Sequence, residues 1–215
     1  MSTKRSVRPE GHWSEQAIEI FEAVLLAVVA VATAWSGYQA ARWDGREAHF
    51  YAISSRDRLV ATQASTLGGQ QRLYDTSTFS FWLQAESTGN TTAQRLFEKR
   101  FRLEYRPAFA AWLKTDPFHN PNAPAGPIVM PQYHNAQEAR SAAYEKKAEV
   151  AFESGTVARE RGDEYVRNTV LLATVLFLTA IASRFKIRRV RLALLGLSSV
   201  LLVLALSFVL SYPVA

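Results

Sequence analysis

Residues 184–215 read RFKIRRVRLALLGLSSVLLVLALSFVLSYPVA, and this stretch decides the architecture. Its first eight residues carry Arg184, Lys186, Arg188, Arg189 and Arg191 with no acidic residue among them. From Leu192 to Ala215 there is then no Asp, Glu, Lys or Arg. A helix needs about 20 apolar residues to cross about 30 Å of hydrocarbon, so a membrane-spanning helix is predicted at 190–210. Lys and Arg collect on the cytoplasmic side of membrane proteins, which places the basic loop 184–191 inside. The same five cations suit anionic headgroups, so membrane lipids are an expected partner.

Working back along the chain, two further runs lack charge: Ala23–Ala41 and Asn168–Ser183. They predict spans at 18–38 and 165–183. Trp35 and Tyr38 at the far end of the first match an interfacial aromatic belt. A cleaved signal peptide competes for this segment, since Ala32-Thr33-Ala34 resembles a cleavage site. Against it, Glu10, Glu15, Glu19 and Glu22 precede or enter the apolar run, where a signal needs a positive region. The tail 1–17 adds Lys4, Arg5 and Arg8. Two crossings separate it from the basic loop, so both belong on the cytoplasmic side. The large segment 39–164 and the C-terminus are then expected outside a cell inner membrane.

Across the whole 215 residues the mean hydropathy is −0.07, an average that hides this segregation. The net charge of +6 and the pI near 9.7 would suit a nucleic-acid binder. Residues 39–167, however, balance 17 basic against 15 acidic side chains, so no nucleic-acid partner is expected. The chain has no cysteine, which excludes disulfides, thiolate metal sites and cysteine nucleophiles.

The segment outside the membrane is rich in helix formers and poor in Val and Ile. A helix is predicted from Asn135 to Arg184, with Asn135 as N-cap and Glu138 in capping-box position. Its outer part should extend about 45 Å beyond the membrane at about 1.5 Å per residue. Residues 34–66 also lack proline, so the first span should continue as a matching stalk, the two packing antiparallel. The predicted fold is therefore all-α: three transmembrane helices and an extracytoplasmic helical bundle formed by extensions of spans 1 and 2. Between the stalks, helices are expected at 70–84 and 92–114, with turns at Gly68-Gly69 and at 87–90. Phe97, Phe101, Tyr105, Phe109 and Trp112 recur at helical spacing as a bundle core, and Pro107 should kink their helix. The stretch 116–131 holds five of the eight prolines and reads as a helix-free loop, at the distal tip or folded back along the bundle.

Glu15, Glu19 and Glu22 stand at i, i+4 and i+7 and share one face where the first span begins, behind Ser14 as an N-cap. They can pair with Arg188, Arg189 or Arg191, or ring the inner mouth of a pore if several copies assemble. The first span carries small residues at Ala23, Ala27, Ala30, Ala32, Ala34, Ser36 and Gly37, which let helices approach in lipid. The third span is Leu- and Val-rich without a polar stripe and should lie at the periphery. One copy has too few spans to enclose a pathway, so a homo-oligomer is expected. His12, His49, His119 and His134 show no close metal spacing, although His119 and His134 flank the proline-rich loop near Asp116. No phosphate loop or nucleophile elbow is present, so neither an enzyme nor a cofactor is expected.

The order of these parts, with AVLLAVVAVATAWSGYQAARWDG at 23–45 and RGDEYVRNTVLLATVLFLTAIASRFKIRRVR at 161–191, resembles a bacterial family of small three-span membrane proteins. That family is known as domain of unknown function 4337, and the resemblance covers the two ends, about half of the chain. It implies the three-span topology and a bacterial inner-membrane location, and it transfers neither activity nor site residues. The expected function is a non-enzymatic assembly or sensory protein that oligomerises and presents its bundle to a ligand or to a second membrane protein. The alternative is a homo-oligomeric cation channel with the three carboxylates at its cytoplasmic mouth.

Overall fold

The computed structural model describes residues 12–215, with side-chain environments from Glu15 onward. Lys4, Arg5, Arg8 and Glu10, and the side chains of His12 and Ser14, lie outside the described residues. Five α-helices follow in order: α1 (His12–Ser87), α2 (Thr91–Arg100), α3 (Arg106–Leu113), α4 (Ala136–Ala182) and α5 (Arg188–Ser211). The described residues contain no strand. The described part of α1 starts at His12 and includes Ser14. Two compact units divide the chain, residues 12–51 with Glu153–Ala215 and residues Ala52–Phe152. The helices α1 and α4 contribute to both.

In the first unit α1, α4 and α5 bury a common apolar line. Leu25, Val29 and Ala32 of α1 meet Leu172 and Val175 of α4 and Leu202 and Ala205 of α5. The outward faces are as apolar as the core: Val31 is 71% exposed, Phe177 64% and Leu210 86%. Apolar area on this scale marks a surface that faces lipid or another protein. By length and composition α1, α4 and α5 each qualify to cross a membrane.

The small residues of the first span divide into two sets. Ala32 and Ser36 are buried, whereas Ala23, Ala27, Ala30, Ala34 and Gly37 are exposed. The cause is angular: the buried set Glu22, Leu25, Val29, Ala32 and Ser36 already fills the inward face at three- and four-residue steps. The inward line of α5, Leu195, Ser198, Leu202 and Ala205, includes a fully buried serine. Its polar content, absent from the expected periphery helix, is thus one residue wide.

Glycines set the approach of α1 to α4. A Cβ at Gly155 would lie 2.6 Å from the Tyr51 ring, and one at Gly162 would lie 2.9 Å from Asp44 Oδ1. Both weaken helix propensity yet permit contacts that no larger residue allows.

In the second unit α1 does not turn at Gly68-Gly69. The helix is unbroken to Ser87, so the separate helix expected at 70–84 is its last part. Gly68 serves packing: a Cβ there would meet Glu138 Cγ at 2.9 Å, and its carbonyl accepts from Asn135 Nδ2 at 3.1 Å. The turn at 87–90 is real. Gly89 adopts φ +65°, Asn90 N–H donates to Ala85 O at 2.9 Å and Gly89 N–H to Glu86 O at 3.0 Å, a Schellman closure.

The helix expected across 92–114 is two helices. Phe101 leaves helical geometry at ψ 132°, and Pro107 stands in the first turn of α3. A proline lacks its N–H and collides with the carbonyl four residues back, but both defects are harmless in a first turn. The chain therefore breaks before Pro107 instead of kinking at it. Asn135 caps α4, its Oδ1 accepting from Gln137 N–H at 3.0 Å and Glu138 N–H at 3.3 Å. The reciprocal half of the capping box is replaced, because the Glu138 carboxylate accepts from Arg72 at 2.8 Å.

The proline-rich loop folds back onto the bundle. Pro127–Val129 forms a 3-10 turn, Pro127 is buried, and Pro124 O accepts from Trp112 Nε1 at 2.7 Å. Even this stretch therefore holds one helical turn.

Candidate functional site

Three arrangements carry polar chemistry, two of them in the first unit. At the start of the first span Glu22 is 7% exposed, and Arg191 of α5 grips it from two sides. Arg191 Nε donates to Glu22 Oε1 at 2.7 Å and Nη2 donates to Oε2 at 2.8 Å. Arg191 Nη1 also stands 3.6 Å from Glu15 Oε2. Of the three carboxylates, Glu15 and Glu22 come together on this guanidinium, while Glu19 is exposed. Of the five loop cations only Arg191 turns inward; Arg184, Lys186, Arg188 and Arg189 are exposed. A bidentate fork inside the subunit satisfies Glu22 without any neighbouring copy.

At the other end of the span a polar collar closes the three helices. Ser36 Oγ accepts from Asn168 Nδ2 at 3.1 Å, both residues buried. Pro213 O accepts from Trp43 Nε1 at 3.2 Å and from Tyr165 OH at 3.3 Å. Buried Gln39 accepts from Ala215 N–H at 3.0 Å. Next to this collar a groove of about 770 Å³ opens between α1 and α4, with Arg42, Arg46 and His49 on its α1 side.

The second unit is built around rings. Trp82 of α1, 1% exposed, meets Phe109 edge-on at 4.8 Å, and Phe101 meets Phe109 at 4.7 Å. Phe101, Tyr105, Phe109 and Trp112 are buried; Phe97 is half-buried against them. Beneath the rings Asp75 is fully buried. It accepts from Arg102 Nε at 3.0 Å, from Arg102 Nη2 at 2.8 Å and from Tyr133 OH at 3.2 Å. The bonds to Asp75 raise the Arg102 pKa well above the ordinary arginine value. Burial, and then the Asp75 charge, raise the pKa of Tyr105 and Tyr133 above the ordinary tyrosine value. The Tyr105 hydroxyl is buried and has no hydrogen-bond partner among the described residues.

Sequence reasoning missed Trp82, Asp75, Arg102 and Tyr133. One signal was available for the first two: Ala61, Ala64, Gly68, Asp75, Thr78, Trp82 and Ala85 fall on one buried line of α1. A charge in register with such a line needs a buried partner.

A second groove, of about 780 Å³, lies between α2 and α3. Arg95, Lys99 and Arg106, with Glu98, line it beside Leu96 and Phe109. His119 Nδ1 lies 2.9 Å from Asp116 Oδ1, both well exposed. No group of three metal-ligating side chains assembles among the described residues. No protein-family model, curated protein or solved structure matches the chain.

Proposed function

We propose that this protein is a non-enzymatic, multi-pass protein of a bacterial inner membrane that self-associates through its first span and presents its second unit as an assembly or sensory module. The observation that carries the reading is the outward face of α1. Ala23, Ala27, Ala30, Ala34, Gly37 and Ala41 recur every three or four residues and are all exposed. A lipid-facing helix has no use for a continuous line of small side chains, whereas two such lines let backbones approach closely and gain dispersion contacts. The charge distribution favours a cytoplasmic N-terminus and basic loop, with the second unit and the C-terminus on the opposite side.

The presented surface is the α2–α3 groove, whose Arg95, Lys99 and Arg106 make no ion pair among the described residues and suit an acidic partner, a ligand or a second membrane protein. The channel reading loses its deepest carboxylate, because Glu22 is already held by Arg191.

The chain lacks cysteine, so single-cysteine variants give a clean background for cross-linking in membranes. Ala27→Cys, Ala30→Cys and Ala34→Cys should form disulfide-linked dimers, while Val203→Cys on α5 should not. Equal cross-linking at all four positions, or none at any, would remove the proposal.

A further inference from the structure

We propose that the groove beside Arg42, Arg46 and His49 binds the phosphate of a membrane phospholipid, with preference for an anionic headgroup. The proposal requires the first span to lie in a bilayer; its arginines stand outside the small-residue line proposed for self-association.

Depth is the first argument. Ala41 ends the uncharged run that begins at Ala23, and Arg42 is the first charge beyond it. Arg46 and His49 follow at i+4 and i+7, so all three stand on one side of α1, from about 1.5 to about 12 Å beyond the end of the run. The headgroup region adds about 5–8 Å on each side of the hydrocarbon. Long arginine side chains reach that layer easily. The exposed pair Trp35 and Tyr38, with ring centroids 6.0 Å apart, marks the same boundary.

Charge is the second. Among the described residues neither Arg42 nor Arg46 makes an ion pair; the ion pairs of the first unit described there use Arg159, Arg161 and Arg191. No Asp or Glu lines the groove. Asp44 turns toward Gly162 on α4, and neither it nor Glu47, which follows Arg46 directly, is among the residues that line the groove. Aromatic contacts hold both guanidinium groups, at the cost of one Nη1 donor of Arg42. Arg42 lies 5.9 Å from the Tyr38 ring centroid and donates to Tyr38 OH at 3.2 Å. Arg46 lies 4.8 Å from the Trp43 ring centroid, and that ring is itself fixed by its bond to Pro213 O. Two preset forks match the tetrahedral oxygens of a phosphate.

Shape is the third. The floor is Ala41, Gly45 and Ala158, which leaves room for a headgroup, while Phe50 and Val157 supply an apolar wall. A free phosphate gains nothing from that wall, whereas the glycerol and first methylenes of a lipid do.

The test uses the full chain in a non-ionic detergent, titrated with phosphatidylglycerol or phosphatidylcholine and read by native mass spectrometry. The wild type should retain phosphatidylglycerol at least about tenfold more tightly than phosphatidylcholine. Arg42→Ala with Arg46→Ala should remove that preference. Gly45→Leu keeps both arginines, and its Cβ meets nothing within 4 Å, so it should fold normally while filling the groove and weakening lipid retention. Unchanged phosphatidylglycerol affinity in both variants would overturn the site. Displacement of the lipid by inorganic phosphate at equal concentration would overturn the lipid as its source.

Discussion

Replacing Glu22 by Gln keeps the shape of the side chain and removes its charge, which isolates what the carboxylate does. Glu22 and Arg191 have side chains only 9% and 14% exposed, and two hydrogen bonds of 2.7 and 2.8 Å join them. Removing one partner of a buried pair costs about 3–5 kcal/mol, mainly because the remaining charge is left desolvated. Arg191 keeps Glu15 at 3.6 Å, but that carboxylate is about half exposed and better solvated, so it recovers only part. The expected loss is about 2–4 kcal/mol. Arg191→Gln should cost a similar amount. The double variant should be milder than the sum of the two by about 1–3 kcal/mol, since no buried charge is then orphaned. Reversible unfolding in mixed detergent micelles, followed by circular dichroism, gives all three values. Two single variants each within about 0.5 kcal/mol of wild type, or a strictly additive double variant, would refute the pairing. Altered ion conduction with unchanged stability would instead return weight to a pore mouth.

The second unit offers three further tests. Phe101→Ala and Trp112→Ala should each destabilise it by about 3–5 kcal/mol in thermal melts, because both rings are buried within one cluster; unchanged melting would contradict the core. Tyr105→Phe should be neutral or stabilising by up to about 1 kcal/mol, since the hydroxyl it removes is buried without a partner among the described residues, and a loss above about 1 kcal/mol would reveal a bond there. Tyr105 and Tyr133 have pKa values raised in the folded state, so their contribution is complete below the ordinary value of 10 and falls away as pH rises toward the folded values. Unfolding should therefore steepen above about pH 10 and be blunted in the Tyr105→Phe, Tyr133→Phe double variant.

Most of the architecture was legible because its cues are local and strong. Runs without charge, the cap at Asn135 and the Gly89 turn each act within a few residues, and each recurs in the structure. Gly68-Gly69 misled for a definite reason: a glycine pair ends a helix only when nothing else holds it, and here Asn135 and Glu138 of α4 lie against Gly68. Pro107 was read as a kink because the aromatic spacing continues through it. Five rings at helical spacing face one core even though the backbone between them is broken.

The polar sites were legible only in part. Arg191 was one of three cations within reach of the glutamates, and sequence spacing alone cannot say which one the loop turns inward. Asp75 and Arg102 stand 27 residues apart, and their pairing depends on how α2 and α3 fold back on α1. The groove at Arg42, Arg46 and His49 needs a facing helix, and α4 supplies it from more than a hundred residues away.

Native mass spectrometry of the protein released gently from its own membranes tests the central claim most directly. The account predicts a discrete complex containing at least two copies of this chain, which reverts to monomer when Ala30 and Ala34 are both changed to Leu. A wild-type protein that is monomeric with its lipids retained, or a complex unaffected by those two substitutions, would contradict it.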